Sequence, residues 1–423
     1  MIKKIYDAFL KSNGFSTDTR SINNNTLFFA LKGENFNANK FTDEALKKGA
    51  SYVIIDEKEY QIPNKTFLVD DVLQTLQKLA LYHREKLGLP IIALTGSNGK
   101  TTTKELINTV LSEKFNTTAT KGNLNNHIGV PLTLLSMNKE TEIGIVEMGA
   151  NHPKEIEFLC NIIKPNYGYI TNFGKAHLEG FGSIEGVIKA KSELYEYLKN
   201  NNKIAFINNN DKIQVKKTKD LKIISFGNRT ADYPINFIEA NPFVELEFDK
   251  SIIKSHLIGI YNFNNISVAI AIGKEFKVSD KLIKKAIENY TPTNNRSQII
   301  IKDNTKIILD AYNANPSSMK VALENFIQLT DNNKIVIIGD MFELGKHAEK
   351  EHQNIAELTN KGSFKKVYLL GENFLKTTVK ENIVLKDFSE FKKQFNKIDF
   401  KDTTILIKAS RGMALERIVK LFD

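Results

Sequence analysis

A strand, a glycine loop and a helix follow one another without a break between residues 90 and 111, and this segment constrains the fold most. Residues 90–95 form an apolar run typical of a buried strand. The loop Gly-Ser-Asn-Gly-Lys-Thr at 96–101 precedes a helical pattern whose apolar positions, 106, 107, 110 and 111, share one face. Such a loop aims backbone N–H groups and a helix N-terminus at phosphate. The segment therefore predicts an α/β domain that binds phosphate.

Side chains in and near this loop have the chemistry that a magnesium nucleotide requires. Lys100 adds a positive charge at the phosphates, and the Thr101 hydroxyl can ligate Mg²⁺. Glu147 ends an apolar run and precedes a glycine, the position of a carboxylate at the edge of a site. Because Mg²⁺ prefers oxygen ligands, these residues predict a metal-nucleotide site. The loop departs from the generic phosphate-loop pattern at Leu94, where that pattern has its first glycine.

The chain divides into three regions of different pattern, and 423 residues are enough for two to three domains. Residues 1–86 alternate short strand-like runs with helical stretches, which predicts a small α/β domain. Residues 87–292 contain the glycine loop and predict a central ATP-binding domain with a parallel sheet. Residues 293–423 follow a linker-like segment and predict a C-terminal, Rossmann-like α/β domain.

The third region alternates strand-like runs with helical patterns, which predicts a parallel sheet covered by helices. The strand-like runs are residues 306–309, 335–338, 367–370 and 405–407. Each run ends in polar residues, and in parallel sheets ligands bind at the carboxyl ends of the strands. The first helix is expected to begin at Asn315-Pro316, a cap residue followed by proline.

Composition excludes several classes of protein. The 59 Lys and Arg exceed the 49 Asp and Glu by 10, but they are scattered, so a solvated lysine surface is favoured over a nucleic-acid site. The single Cys160 permits no intramolecular disulfide and no multi-cysteine metal site, which favours a reducing, cytoplasmic compartment. No apolar run approaches the roughly 18 residues of a membrane span. The N-terminus turns polar too early for a signal peptide.

Only six of the basic residues are arginine, which suggests that arginine is kept where a planar guanidinium must bind carboxylate or phosphate. Three of the six fall in the motifs described below. Arg84, in a helical stretch, is expected to be replaceable by lysine, as are Arg229 and Arg417.

Two further residues carry weaker signals. His177 lies in a loop rich in glycine and polar residues, 171–183, but a loop histidine is more often a surface residue than a ligand. Lys191, in a charged helical stretch, cannot be told from an exposed helix lysine. Composition and spacing leave both roles open.

Taken together, the motifs resemble those of the Mur ligases and folylpolyglutamate synthases, in family order through all three regions. Residues 95–102 resemble the shortened phosphate loop of that superfamily, and 16–33 are similar to the uridine-nucleotide-binding domain of the muramyl ligases. Further segments are similar to the branch that adds the terminal dipeptide, namely 122–131, 146–150, 310–316, 339–345 and 408–412.

The resemblance implies an ATP site at the junction of the second and third domains. Lys100 would contact the β and γ phosphate oxygens, and Arg296 would approach from the domain junction. One position departs from the family pattern, because Tyr261 stands where the family usually has histidine. The residues implied for ATP are Thr95, Gly96, Ser97, Asn98, Gly99, Lys100, Thr101, Thr102, Asn262, Asn265, Arg296 and Asp310.

The resemblance also implies metal, catalytic and substrate contacts. Thr101 and Glu147 would ligate a first Mg²⁺, and His177 would serve a second. Lys191 falls on the lysine that is carbamylated in related ligases, a change that turns an ammonium into a metal ligand. The implied catalytic residues are Lys100, Glu147, His177, Lys191 and Arg296. The implied substrate-binding residues are Asp18, Thr19, Arg20, Asn125, Asn126, Tyr312, Asn313, Asn315, Ser410 and Arg411.

The implied activity is ATP- and Mg²⁺-dependent ligation of D-alanyl-D-alanine to UDP-N-acetylmuramoyl-tripeptide through an acyl phosphate, for peptidoglycan synthesis. A cytoplasmic monomer is expected, with these small molecules as partners and with no nucleic acid or membrane. The alternatives are an earlier muramyl ligase, a folylpolyglutamate synthase, a nucleic-acid-dependent ATPase and a non-catalytic nucleotide-binding scaffold. Segment 18–20 argues against the folate enzyme, and 310–316 and 339–345 favour the dipeptide-adding step. Whether the tripeptide ends in diaminopimelate or lysine stays open.

Overall fold

The computed structural model describes residues 1–379 and 383–423, which form three α/β units in chain order. The predicted α/β architecture is confirmed, and the exact domain boundaries stay predictions. The first unit contains α1 (Ile2–Lys11), β1 (Gly14–Ser16), β2 (Thr26–Phe29), β3 (Lys32–Gly33), β4 (Phe36–Asn37), α2 (Thr42–Lys47), β5 (Ala50–Ile55), β6 (Thr66–Leu68) and α3 (Val72–Leu87).

A parallel sheet of order β1-β2-β5-β6 forms the first unit; β2 is fully buried and β5 largely so, whereas the edge strands β1 and β6 are mostly half-buried. Helix α3 packs against α1, and it begins and ends at clear capping residues. The Asp71 side chain accepts a hydrogen bond from the Gln74 N–H at 2.7 Å, and Gly88 ends the helix in the left-handed conformation, φ 64°.

The second unit is built on a seven-stranded parallel sheet of order β13-β12-β11-β10-β7-β9-β8 and a three-stranded antiparallel sheet, β14-β15-β16. The sequence did not predict the antiparallel sheet. Its elements are β7 (Ile91–Thr95), α4 (Lys100–Ser112), β8 (Thr117–Ala119), α5 (Gly129–Leu135), β9 (Ile143–Glu147), α6 (Glu155–Ile163), β10 (Tyr167–Ile170), α7 (Leu178–Phe181), α8 (Ile184–Lys191), α9 (Glu193–Asn200), β11 (Ile204–Asn208), α10 (Lys212–Lys217), β12 (Lys222–Gly227), β13 (Tyr233–Pro234), β14 (Asn236–Ala240), β15 (Phe243–Phe248), β16 (Ser251–Ile258), α11 (Tyr261–Glu275) and α12 (Asp280–Asn289).

Strand order places the ends of β7, β9 and β10 side by side at the carboxyl edge of the large sheet. The glycine loop leaves β7, Glu147 ends β9, and the segment containing His177 leaves β10. Residues far apart in sequence therefore meet at one edge, as expected for a parallel sheet.

Arg84 of α3 ties the first unit to the second. Its guanidinium is buried and donates hydrogen bonds to the Ile163 carbonyl at 2.9 Å, the Lys164 carbonyl at 3.2 Å and Asn166 Oδ1 at 2.9 Å. These acceptors lie along the edge of a planar fork, which an ammonium group does not match. The expectation that lysine would serve at Arg84 is therefore wrong.

The third unit has a sheet of order β17-β18-β22-β19-β20-β21 in its described residues, parallel except at the antiparallel edge strand β17. All four predicted strands are present, each slightly longer than the apolar run that predicted it. The elements are β17 (Gln298–Lys302), β18 (Thr305–Asp310), α13 (Pro316–Gln328), β19 (Lys334–Gly339), α14 (Ala348–Thr359), β20 (Lys366–Leu370), β21 (Ile383–Leu385), α15 (Phe388–Gln394) and β22 (Thr404–Lys408).

Two details complete the fold. Helix α13 begins as predicted, because Asn315 caps it with a reciprocal capping box to Ser318.

In the part of the chain that the structure describes, no helix combines the length and apolar content that crossing a membrane requires.

Candidate active site

A cavity of about 1090 Å³ lies between the second and third units. It collects most of the residues that the sequence predicted for ATP, metal and substrate. Those that line it are Ser97, Asn98, Gly99, Lys100, Thr101, Thr102, Asn125, Asn126, Glu147, His177, Asn262, Asn265, Arg296, Asp310, Tyr312, Asn313 and Asn315. The predicted residues outside its lining are Asp18, Thr19, Arg20, Thr95, Gly96, Lys191, Ser410 and Arg411.

The glycine loop is held closely against the segment that follows β10. Gly96 has φ 145°, and a Cβ atom there would lie 2.0 Å from the Thr171 hydroxyl, which donates to the Asn98 carbonyl at 2.6 Å. Gly99 caps α4 at φ 78°, where a Cβ would lie 2.9 Å from Asn265 Oδ1. Both positions require glycine because of φ and close approach. The loop can therefore present its amides and the N-terminus of α4 to an anion.

Lys100 lies back over this loop, and its ammonium donates to the Gly96 carbonyl at 2.7 Å. Burial lowers the pKa of Lys100, the carboxylate of Glu147 opposes that shift, and the positive charge of Arg296 adds to it. The effect of Arg296 means that cations from two units act on the same region of the cavity.

Oxygen ligands that suit Mg²⁺ lie beside the loop. The Thr101 hydroxyl donates to Glu147 Oε2 at 2.9 Å, and Asn125 Nδ2 donates to Oε1 of the same buried carboxylate at 2.8 Å. No group of three or more His, Cys, Asp and Glu side chains that could hold a metal lies within 1–379 and 383–423. The donors present fit Mg²⁺, which is commonly held by one or two carboxylates together with substrate phosphates and waters.

His177 faces the third unit, where its Nδ1 contacts a Glu343 carboxylate oxygen. That contact lowers the pKa of Glu343. The Glu343 carbonyl also accepts from the Glu179 N–H at 3.2 Å, so the two units are joined here through side chains and backbone. The family resemblance implied a site role for His177, whereas the role of Glu343 in this contact was not predicted.

Lys191 is 1% exposed, although its charge pattern resembled a surface helix. Its ammonium donates to the Ala150 carbonyl at 3.1 Å and lies 5.2 Å from the centre of the Phe181 ring. Burial lowers the pKa of Lys191 well below its usual range, and Lys100 adds to the shift. A lowered pKa favours the neutral amine, which is the form that reacts with carbon dioxide.

Arg296 and Tyr312 stack on the third-unit side of the cavity. The Arg296 guanidinium carbon lies 3.8 Å from the centre of the Tyr312 ring, and Arg411 lies 5.2 Å from that ring. Arg296 Nε is buried and has no hydrogen-bond partner among the described residues. A buried donor without an acceptor is costly, so this atom fits an anionic ligand.

A buried ion pair supports the same wall. Lys408 donates to Asp310 Oδ2 at 2.6 Å and to the Asn313 carbonyl at 3.2 Å. Lys408 ends β22 opposite Asp310 at the end of β18, so the pairing of these two strands brings the ammonium and the carboxylate together. Its place at a strand end was visible in the sequence, but its role as the partner of Asp310 was not.

Two pairs of polar side chains join the walls of the cavity directly. Asn315 Nδ2 donates to Asn98 Oδ1 at 2.7 Å. The Lys175 ammonium donates to the buried Glu351 carboxylate at 2.6 Å. Sequence analysis missed Lys175 and Glu351, since an exposed loop lysine and a helix glutamate carry no local signal.

Other predicted substrate residues lie apart from this cavity or serve the backbone. Arg20 is exposed and bonded to Asp18, whose pKa it lowers to about 2. Asn126 Oδ1 accepts from the N–H groups that open α5. Ser410 is buried, and its hydroxyl accepts from the Phe342 N–H at 2.9 Å.

Two family models match the chain in order. The Mur ligase middle domain matches residues 94–273, and the Mur ligase, glutamate ligase domain matches 295–419. The UDP-N-acetylmuramoyl-tripeptide–D-alanyl-D-alanine ligase of Bacillus subtilis is 34% identical over 430 aligned residues, covering 96% of this chain and 92% of that protein. The ligase of the same name from Escherichia coli is 31% identical, covering 99% and 95%.

Solved structures agree with these matches. MurF from Acinetobacter baumannii has a TM-score of 0.87 at 28% identity, covering all of this chain and 98% of that one. The MurF ligase of Thermotoga maritima, solved in complex with ADP, has a TM-score of 0.83 at 28% identity, covering 98% and 97%. By its sequence, and by a three-unit fold with the glycine loop at a junction, the chain belongs to the Mur ligase family.

Proposed function

We propose that the chain joins D-alanyl-D-alanine to UDP-N-acetylmuramoyl-tripeptide with hydrolysis of ATP to ADP and phosphate, forming the pentapeptide precursor of peptidoglycan. The observation that carries the proposal is the cavity between two units, with a phosphate-binding loop on one wall and an unpaired guanidinium donor on the other. The names of the relatives, which align with nearly the whole chain, support the choice of substrates.

The first step makes the tripeptide's terminal carboxyl reactive. A carboxylate oxygen attacks the γ-phosphorus of ATP, the bond to the β-γ bridging oxygen breaks, and ADP leaves an acyl phosphate behind. The loop amides and Lys100 bind the phosphates from the second unit, while Arg296 neutralises charge from the third. Thr101 and Glu147 would hold Mg²⁺, which supplies further charge neutralisation when it is bound.

The second step forms the amide bond. The free amine of D-alanyl-D-alanine attacks the acyl carbon and loses a proton, the C–O bond to phosphate breaks, and inorganic phosphate leaves. An acyl phosphate must be kept from water, so the units have to stay together during both steps. The Asn98–Asn315 and Lys175–Glu351 contacts would hold them together.

The remaining assignments belong to the same proposal. His177 would serve a second Mg²⁺, and Lys191, whose neutral form is favoured by burial, would become a ligand once carbamylated. Asp18, Thr19 and Arg20 would bind the uridine nucleotide on the first unit, while Tyr312, Asn313, Asn315, Ser410 and Arg411 would face the dipeptide. We propose that the protein is a monomer. We further propose that it acts in the cytoplasm, where its nucleotide substrates are found.

Phosphate release with each substrate omitted in turn tests the proposal. Release should require ATP, Mg²⁺, the UDP-tripeptide and D-alanyl-D-alanine together, and mass spectrometry should identify the pentapeptide product. Rapid ATP hydrolysis without the UDP-tripeptide, or no stimulation by the dipeptide, would contradict the proposed function. Running the assay with tripeptides ending in diaminopimelate and in lysine decides between these acceptors.

The same assay separates the competing functions. A folylpolyglutamate synthase would release phosphate with a folate and glutamate, and an earlier muramyl ligase would accept a single amino acid and a shorter UDP-peptide. A nucleic-acid-dependent ATPase would bind polynucleotide with a steep dependence on salt. A nucleotide-binding scaffold would bind ATP and release no phosphate with any of these substrates.

A further inference from the structure

Tyr261 connects the second unit to the segment that carries Arg296. It is the first residue of α11, and its hydroxyl shares a hydrogen bond of 2.7 Å with the hydroxyl of Ser297. Ser297 is 5% exposed and follows Arg296 directly. The bond therefore joins the wall that contains the glycine loop to the residue that follows Arg296 on the opposite wall.

The position of the Tyr261 ring is closely restricted. Gly259 has φ 84°, and a Cβ atom there would lie only 2.3 Å from Cε1 of the ring. Burial raises the pKa of Tyr261, and the nearby carboxylate of Asp310 adds to the shift, so the hydroxyl keeps its proton at neutral pH. Tyr261 thus offers Ser297 a fixed, protonated partner.

The backbone around Arg296 needs such a partner. Asn295 and Ser297, on either side of it, have φ 57° and 53°, the left-handed conformation that residues other than glycine seldom adopt. Strained positions of this kind persist only where their surroundings hold them. The Asn295 carbonyl accepts from the Tyr312 N–H at 3.2 Å, and the Ser297 N–H donates to Asp310 Oδ1 at 3.2 Å.

These contacts belong to two different units. The two backbone contacts come from the third unit itself, through Tyr312 and Asp310. The hydrogen bond from Tyr261 comes from the second unit, so it fixes the position of residues 295–297 relative to the opposite wall of the cavity. Asn294, two residues before Arg296, also donates to Glu105 Oε1 of α4 at 2.9 Å, so the bond from Tyr261 is the contact that the second unit makes with Ser297 itself.

We propose that Tyr261 is a positioning residue: through Ser297 it fixes the left-handed backbone on either side of Arg296, and so aims the guanidinium into the cavity. The inference rests on the proposed function for its kinetic readout. Arg296 is the group that would meet the phosphates, and Tyr261, which lines the same cavity, would act through it.

The test compares Tyr261→Phe with the intact enzyme. This variant keeps the ring and loses only the hydroxyl. We expect kcat to fall about tenfold, because a misplaced cation stabilises the phosphoryl transition state less well. The KM for UDP-tripeptide and for dipeptide should stay within twofold, and the melting temperature should change by less than about 3 °C.

Second-site variants show whether the effect passes through Ser297 and Arg296. Ser297→Ala should reproduce the loss, and the double variant should be no worse than either single change. In an Arg296→Ala background, Tyr261→Phe should lower kcat no further. Tyr169→Phe is the matched control, since its hydroxyl is buried in β10 and makes no hydrogen bond to Arg296 or Ser297, and its kcat should equal that of the wild type.

Hydrogen exchange of residues 294–298 gives a readout that does not depend on activity. The Ser297 amide should exchange faster in Tyr261→Phe and remain unchanged in Tyr169→Phe. Unchanged exchange at Ser297, a kcat within twofold of wild type, or an equal further loss in the Arg296→Ala background would each overturn the inference. If the wild type forms no pentapeptide, the proposed function fails, and the exchange rates still decide the positioning role.

Discussion

The two walls of the cavity are held in place by different kinds of interaction. On the second unit, neutral hydrogen bonds fix the glycine loop: Asn98 is bonded through its N–H and its carbonyl to Asn172, and the Thr103 hydroxyl donates to Asn265. On the third unit, a buried ion pair between Asp310 and Lys408 lies behind the stacked arginine. Apart from the bond of the Lys100 ammonium, the contacts that fix the glycine loop come from backbone and neutral side chains (the neutral wall), whereas an ion pair supports the wall of Arg296 (the charged wall).

This difference predicts how each wall fails. Losing one neutral hydrogen bond costs little when several others remain, whereas removing one member of a buried ion pair leaves the other charge without compensation. Changes at the loop should therefore affect catalysis more than stability, and changes behind Arg296 should affect both. Four experiments test that contrast.

The largest effect is expected for Lys100→Ala on the neutral wall. Its ammonium bonds loop carbonyls, so removal should leave the fold intact while kcat falls about 10³-fold. Phosphate release measures the first quantity and thermal unfolding the second. Lys121→Ala, at an exposed lysine, is the control; retained turnover in Lys100→Ala would contradict the assigned role.

Lys408→Met on the charged wall should lower stability as well as activity. It leaves the Asp310 carboxylate largely buried and unpaired, so the free energy of unfolding should fall by about 3 kcal/mol. Urea unfolding followed by circular dichroism measures the loss. The half-exposed pair Lys366–Asp399 of the same unit provides a control, because Lys366→Met should change the stability far less. Equal effects of the two variants would remove the contrast between the walls.

A pH dependence of stability is expected from His352, which lies buried in the same third unit as the charged wall. His352 Nε2 accepts from the Met341 N–H at 2.9 Å and Nδ1 contacts the Ala348 carbonyl at 2.6 Å, so only the neutral ring satisfies both. Burial lowers the pKa of His352, and a group with a lowered folded pKa loses stability as pH falls below about 6.5.

Urea unfolding at pH 7.5, 6.5 and 5.5 measures this slope, which one histidine limits to about 1.4 kcal/mol per pH unit. In His352→Gln the slope between these pH values should be smaller than in the wild type. His256→Gln, at an exposed histidine on β16, should leave it unchanged. The prediction fails if the two variants have the same slope as the wild type.

The smallest effect is expected where the two walls meet through Lys175 and Glu351. Lys175→Met should make the joined arrangement less favourable by about 1 kcal/mol, since Lys175 is half exposed and the buried Glu351 carboxylate regains water when the walls separate. Small-angle scattering should record a larger radius of gyration, and kcat/KM for the dipeptide should fall two- to fivefold. Lys199→Met, which breaks an exposed pair within the second unit, should change neither quantity.

Local sequence patterns predicted the neutral wall well. The loop, its preceding strand and its following helix are adjacent in sequence, and each is specified by its own residues. The strands of the third unit were also found, because strands buried on both faces are continuous apolar runs. The antiparallel sheet of residues 236–258 was missed, since its edge strand is mostly exposed and lacks such a run.

Contacts between units could not be predicted in the same way. Glu343 meets His177 and Glu351 meets Lys175 only because two sheets face each other across the cavity, and no local spacing encodes that approach. The need for arginine at Arg84 could not be predicted for the same reason, because the three acceptors of its guanidinium lie in the distant segment 163–166. Motif resemblance supplied the names of site residues, but it did not supply these partners.

Lys100 and Arg296 stand on opposite walls, and the positive charge of Arg296 helps to lower the pKa of Lys100. Like charges on two separable units oppose their approach, so this pair works against the Lys175–Glu351 contact that joins the same walls. In the proposed function a bound triphosphate would reverse the sign, because both cations would then gain a shared counterion. The proposed nucleotide would therefore stabilise the joined arrangement as well as react in it, because its negative charge would link the cations of the two walls.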